Sequence, residues 1–286
     1  MDFLQVDVFA EGPYAGNPLA VFPDAAELSG VQMQAIAREM NLSETTFVTE
    51  ISSRGYDVRI FTPHSELPFA GHPTIGTAWT LRRLGKWGSD GVLQRSEAGD
   101  TPVRTEGEEL WFERRGSSEP DLGIEDPGIS RRIAAALSLE ARDIGLEARE
   151  LGRAGALAPA FADAGVRFPI VPLRDVGALQ RVQVDPRALR TLDELGAYCF
   201  TALQAGRIRA RGFFPAEGIA EDPATGSAAA ALGAYLVDRV GPIALEIFQG
   251  VEMGRPSRIR MRGDRERIEI GGRCQLVLTG RLEELP

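Results

Sequence analysis

The sequence predicts an α+β protein of two similar lobes, each with strands wrapped around a buried helix. Three observations carry this. A chain of 286 residues with 43% apolar content can build a core in each of two domains. The pattern E-x-P-x-x-G occurs twice, as ELPFAG at 66–71 and EDPATG at 221–226, at an offset of 155 residues, which marks the two halves as copies of one unit. Each copy follows a strand-like run ending with an aromatic residue close to a proline (Phe61 and Pro63, Phe214 and Pro215), and each opens a mostly apolar helix.

Taken in order, Phe3 to Phe9 alternates as a strand, Gly12-Pro13 and Gly16-Asn17-Pro18 are dense turn chemistry, and Leu19 to Phe22 is a second strand. Ser29 caps a helix over 31–40 with Met33, Ile36, Ala37 and Met40 on one face and Asn41 as its stop. Ser43 to Thr49, rich in β-branched and aromatic residues, is a strand with Glu44 near its start, and Tyr56 to Thr62 is the next. Pro73 at the first helical position, with Gly71 or His72 just before it and Gly85 after the last turn, frames a helix whose apolar residues fall on most sides.

From 88 to 165 the reading is sparser, with strands near 92, 110 and 168 and a helix at 130–138. Pro186 to Gly196 reads as a short helix, Ala197 to Leu203 and Arg207 to Phe214 as strands, Ser227 to Val240 as the second buried helix, made slim by Ala228 to Ala231. Ile268 with Ile270, and Leu276 to Leu278, mark further strands. The polar stretch Arg114 to Ser118 divides the chain into 1–116 and 117–286, with the option that a terminal strand near 275–286 packs with the first lobe.

Composition excludes several function classes. Lys and Arg total 32 against 41 for Asp and Glu, a net charge of -9, so neither nucleic acid nor an anionic membrane is an expected partner. No secretory leader and no run of about 18 apolar residues is present, which predicts a cytoplasmic protein. With two cysteines, Cys199 and Cys274, and two histidines, His64 and His72, no zinc-ligand spacing exists; the cysteines read as buried thiols and no metal is expected.

The repeat suggests where a ligand binds. Two helix starts facing one another across a cleft would present unpaired backbone N–H groups and two positive dipole ends, an anion site built without Arg or Lys. Gly71 and Gly226 suit it, because a carboxylate can approach their backbone closely.

GNPLAVF (16–22), IAREMNLSETTFV (36–48), RIFTPHSELPFAGHPTIGTA (59–78), EDPATGSAA (221–229) and QGVEMGRPS (249–257) together resemble the PhzF-like phenazine-biosynthesis family. That family is akin to diaminopimelate epimerase and proline racemase. The resemblance implies two diaminopimelate epimerase-like lobes, each a curved, mostly antiparallel sheet around a central helix, with the active site between them, no metal or organic cofactor, and a homodimer. It places the catalytic glutamate of N-x-S-E-[ST]-x-F on Glu44, the histidine of A-G-H-P on His72, and the acidic and hydroxyl residues of E-D-x-x-T-G-S on Asp222 and Ser227. The related epimerases carry a cysteine near each helix start; here Phe69 to His72 and Asp222 to Gly226 hold none, which disfavours two-thiol racemisation.

A carboxylate in a dehydrated cleft can take a proton and return it if its pKa rises from about 4.3 toward neutrality. Glu44 is thus the expected acid–base, with His72 and Asp222 orienting the substrate or relaying protons. Ser227 and the backbone N–H groups of Gly71, His72 and Gly226 would hold a carboxylate, and Asn17 is a candidate substrate contact. Each has a plainer alternative: Glu44 exposed or paired with Arg38, His72 as a helix cap, Asp222 offsetting a dipole, Asn17 forming a turn. Arg255 is open between a surface turn and a cleft-side cation, and His64 reads as a surface turn residue. The expected activity is proton-shifting isomerisation of a small carboxylate, with trans-2,3-dihydro-3-hydroxyanthranilate the substrate that the resemblance suggests. An amino-acid epimerase or dehydratase, and a non-catalytic ligand-binding or interaction protein, are the alternatives.

Overall fold

The computed structural model describes residues 1–88, 91–122, 128–192, 196–204 and 206–286. The chain divides into two compact units, Met1–Glu113 with Ile270–Pro286, and Arg114–Glu269. Strands β1 (Asp2–Val8), β2 (Asn17–Phe22), β3 (Glu44–Ile51), β4 (Gly55–Phe61), β5 (Glu66–Leu67), β6 (Gly91–Ser96), β7 (Gly99–Glu106) and β8 (Glu109–Arg114) come first, with helices α1 (Gly30–Met40) and α2 (Gly71–Arg83). The second unit holds β9 (Ser117–Ser118), β10 (Leu146–Glu147), β11 (Ala156–Leu157), β12 (Ala160–Asp163), β13 (Arg167–Pro172), β14 (Ala197–Gln204), β15 (Arg207–Phe214), β16 (Ile219–Asp222), β17 (Ile243–Gln249) and β18 (Ser257–Gly263). Its helices are α3 (Ile129–Ala136), α4 (Val176–Arg181), α5 (Pro186–Arg190) and α6 (Gly226–Val240), after which come β19 (Ile268–Gly272) and β20 (Cys274–Arg281).

One succession of pairings recurs in both units. In the first, β1–β2 is antiparallel, β2–β3 parallel, β3–β4 antiparallel, β4–β6 parallel and β6–β7 antiparallel. In the second, β12–β13, β13–β14, β14–β15, β15–β17 and β17–β18 repeat that order. The parallel steps are bridged by helices, α1 and α2 in one unit, α4 with α5 and then α6 in the other, as parallel neighbours require. Each unit is therefore a mixed α+β layer built on one plan, as the E-x-P-x-x-G repeat predicts.

The central helices are nearly wholly enclosed. Ten of the 13 residues of α2 are buried and so are Gly226 to Val237 of α6. Gly76 permits this in α2, since a β-carbon there would stand 2.6 Å from the Leu19 side chain. On the other face of the first sheet, Phe22, Phe47 and Phe61 pack with α1 residues Met33, Ile36 and Ala37, and the rings of Phe22 and Phe47 stack at 5.0 Å. Helix α1 starts on a capping box formed by Ser29 and Gln32 and ends on Asn41 in the left-handed region, the start and stop the sequence predicts.

Some expectations need correction. Helix α2 begins at Gly71, not Pro73, so His72 lies inside its first turn and the N-cap is Ala70, which has no side-chain cap bond. A proline is tolerated throughout the first turn because its missing N–H would have no intrahelical partner there. The helix expected over 186–196 stops at Arg190, where Thr191 takes the cap, and 193–195 lie outside the described residues. Strand β1 ends at Val8, and Phe9 turns into the left-handed region at φ 59°. Among the described residues no helix is long and apolar enough to cross a membrane.

The glutamate that opens each E-x-P-x-x-G copy is a clamp on the preceding strand. Arg59 of β4 grips Glu66 through Nε and Nη2, both at 2.7 Å, and Arg211 of β15 grips Glu221 in the same two-point manner at 2.8 Å. The second clamp is far more enclosed, with side chains 9% and 17% exposed against 37% and 32%, and Arg211 also donates to the Leu179 and Val182 carbonyls. Burial sets the worth of each pair. Glu221→Gln, which leaves a buried guanidinium underpaired, should lower the urea unfolding free energy by about 2–3 kcal/mol, whereas Glu66→Gln should cost less than about 1 kcal/mol; equal losses would contradict the assignment.

Candidate active site

Three of the predicted residues meet in the first unit. Glu44 opens β3 opposite Leu19 of β2, Asn17 opens β2 opposite Val8, and His72 is the second residue of α2. All are buried: Glu44 is 8% exposed, His72 2% and Asn17 0%. The Asn17 Nδ2 lies 3.2 Å from His72 Nδ1, and His72 Nε2 lies 3.4 Å from Glu44 Oε2. The imidazole thus stands between an amide and a carboxylate. Its Nε2 is buried without a hydrogen bond of normal geometry, so the carboxylate is a close neighbour rather than a bonded partner. Glu44 is neither exposed nor paired with Arg38, which sits on the exposed face of α1.

Burial dominates the electrostatics. The His72 imidazole is pushed down from 6.5 to about 3, because removal from water disfavours its cation. A neutral histidine beside a carboxylate can pass a hydrogen bond without forming a fixed ion pair.

Asp222, Gly226 and Ser227 meet in the second unit, at the start of α6. Asp222 is 3% exposed and its Oδ2 accepts from Thr225 Oγ1 at 2.5 Å. Thr225 is the N-cap, yet its side chain makes no cap bond, being turned to Asp222 instead. Gly226 and Ser227 therefore begin the helix with backbone N–H groups that no side chain caps. The Ser227 hydroxyl, in a residue 8% exposed, makes no hydrogen bond among the described residues. Helices α2 and α6 start alike, and each offers an uncapped positive end to an anion.

Sequence reasoning missed the supports beneath these groups. Gln249, at the end of β17, donates through Nε2 to the Asp222 carbonyl at 2.8 Å and to Thr225 Oγ1 at 2.9 Å, while its Oε1 accepts from Tyr198 OH at 2.9 Å and the Thr225 N–H at 3.2 Å. The first unit holds a counterpart: Tyr56 OH donates to Gln94 Oε1 at 3.0 Å, Gln94 Nε2 to Thr74 Oγ1 at 2.8 Å, and Thr74 Oγ1 to the Ala70 carbonyl at 2.9 Å. Both phenols are held well above their usual pKa by burial and stay protonated donors. The signal was available, since Gln94 and Gln249 are related by the same offset of 155 residues as the repeat.

Four further residues complete the account. His64 is exposed and its N–H donates to Thr62 Oγ1, a turn role. Arg255 lies in the turn before β18, its N–H bonded to the Gly250 carbonyl. Cys199 and Cys274 are free, buried thiols, Cys199 raised to about 12 by burial. Neither lies at a helix start. Among the described residues no group of three His, Cys, Asp or Glu side chains is arranged to hold a metal ion.

Comparison with known proteins bears on the fold and the family. A solved structure of a Bacillus anthracis phenazine biosynthesis protein, PhzF family, superposes with a TM-score of 0.82 at 24% identity, covering 98% of each chain. A probable proline racemase from Agrobacterium radiobacter shares the fold at a TM-score of 0.59 and 12% identity, over 98% of this chain and 92% of its own. In sequence, the trans-2,3-dihydro-3-hydroxyanthranilate isomerase of Pseudomonas aeruginosa is 38% identical over 98% of both chains. Residues 6–280 match the family described as phenazine biosynthesis-like protein, and the chain belongs to that family.

Proposed function

We propose that the protein is a cofactor-independent isomerase in which Glu44 removes a proton from a small carboxylate-bearing substrate and returns it at another carbon. The observation that carries this is the enclosure of Glu44 beside a neutral His72. His72 relays a proton or orients the substrate, Asp222 acts in the same reaction, and Ser227 with the N–H groups of Gly71, His72 and Gly226 binds the substrate carboxylate. The relative's named substrate, trans-2,3-dihydro-3-hydroxyanthranilate, is the one we assign. The family resemblance also carries a homodimer, which sedimentation velocity would read.

A single base is supported by the internal repeat. Thr45 pairs with Phe61 and Ala197 with Phe213, both 152 residues further on, so Glu44 corresponds to Gly196. Gly196 has φ +140°, and a β-carbon there would lie 2.0 Å from the Phe213 carbonyl oxygen. No second base can occupy that position. This disfavours a two-base epimerase, as does the lack of a thiol at either helix start.

Glu44→Gln, nearly isosteric, should keep the fold and lower turnover by about 10³-fold or more, the scale of lost general acid–base catalysis. Turnover in heavy water should leave part of the migrating hydrogen undeuterated, because one carboxylate carries it from carbon to carbon. Full-rate E44Q would remove Glu44 from the reaction, and complete deuteration in a single turnover would replace the carried proton with one from solvent.

The buried imidazole also fixes a pH dependence of stability. His72 binds its proton near pH 6.5 when unfolded but only near 3 when folded. Between these values the unfolded state holds more protons, so stability falls as pH falls, by up to about 1.4 kcal/mol per pH unit. The difference in unfolding free energy between wild type and His72→Gln should therefore shrink on acidification through this window and be flat above about pH 7.5.

A further inference from the structure

Asn17 was a candidate substrate contact, yet it is fully buried, and its amide nitrogen meets the histidine. An amide nitrogen carries two hydrogens and no lone pair to offer, so at 3.2 Å it can only donate to His72 Nδ1. That nitrogen must then present its lone pair, and a neutral imidazole with an unprotonated Nδ1 carries its hydrogen on Nε2. The Nε2–H is the group 3.4 Å from Glu44 Oε2. With the amide reversed, its oxygen would accept from Nδ1–H and leave an Nε2 lone pair facing a carboxylate oxygen, a repulsion relieved by protonating Glu44 or by making the ring a cation, which its burial disfavours.

We propose that Asn17 is a positioning residue that fixes His72 as the Nε2–H tautomer, so that an N–H rather than a lone pair faces the Glu44 carboxylate. The proposal rests on the reading of Glu44 as the proton carrier. It assigns Asn17 no contact with substrate: the residue acts through the ring. The backbone sets it in place, because Asn17 is held in the β1–β2 ladder opposite Val8. Burial of the ring, which keeps it neutral, agrees with a single fixed tautomer.

The test uses the full chain labelled with ¹⁵N-histidine. The sequence contains only two histidines, so a His64→Gln chain assigns the two ring systems. Two-bond nitrogen–proton correlations should show His72 protonated at Nε2 alone and not titrating near pH 6.5. Asn17→Asp places an acceptor against Nδ1 and should move the proton to Nδ1 or make the ring a cation, with kcat falling about 10²–10⁴-fold. A wild-type ring protonated at Nδ1, or averaging between tautomers, overturns the proposal even if the variant fails to fold. An N17D protein that keeps the Nε2–H ring overturns the role of Asn17. The spectrum is independent of turnover: the expected tautomer together with a fully active E44Q would sink the base assignment, and with it the part of the proposal that concerns Glu44.

Discussion

A helix enclosed by strands on nearly every side can carry little bulk, and every polar group along it must be answered from within. Helix α2 meets the first demand with Gly76 and Ala78 and the second only in part, through Thr74 and Thr77, since the buried Thr80 Oγ1 has no hydrogen-bond partner among the described residues. Thr74 Oγ1 returns to the Ala70 carbonyl, and Thr77 Oγ1 meets Thr46 Oγ1 at 2.9 Å. The backbone answers itself everywhere except at the first turn, whose N–H groups have no intrahelical acceptor. Ala70 cannot cap them and the Thr225 side chain faces Asp222, so both enclosed helices direct their remaining hydrogen-bonding capacity out of their N-terminal ends. The position of the site follows from the burial of the helix.

The duplicated plan explains both the likeness of the two helix starts and the division between what is shared and what differs at them. Each start rests on a buried tyrosine–glutamine–threonine chain and each is clamped behind by an Arg–Glu pair. What differs is the second residue of the helix, His72 in one and Ser227 in the other, and the residue at the entry to the third strand of the plan, Glu44 opening β3 against Gly196 just before β14. A supporting frame fixed by hydrogen bonds can be copied unchanged while side chains at its mouth diverge.

This division also marks what the sequence could disclose. The cap of α1, the left-handed Asn41 and the β-branched run of β3 depend on neighbours within a few residues, and each was legible. So was the repeat, because a duplicated loop keeps its glutamate, proline and glycine. The start of α2 was misplaced by two residues because a proline near a helix start satisfies the first turn at several positions. The contact of Asn17 with His72 was hidden for another reason: a Gly-Asn-Pro turn accounts for an asparagine on local grounds, and the histidine is 55 residues away. Gln249 was missed likewise, since nothing beside it in sequence distinguishes it from a strand-end glutamine.

The two clusters differ in how completely their buried polar atoms are satisfied, and the difference bears on which of them moves a proton. Around Asp222, Gln249 engages four groups and Thr225 gives its hydroxyl hydrogen to the carboxylate, leaving a closed network whose members hold one another in place. Around Glu44, one ring nitrogen is bonded and the other stops 3.4 Å short of the carboxylate oxygen. A buried N–H left underpaired costs roughly 1–3 kcal/mol, and such a cost is retained where function requires it. A closed network resists a change of protonation, since every bond in it would have to rearrange. A carboxylate beside an incompletely bonded imidazole can change protonation with only a small turn of the ring, which favours the proposed assignment of Glu44 as the proton carrier.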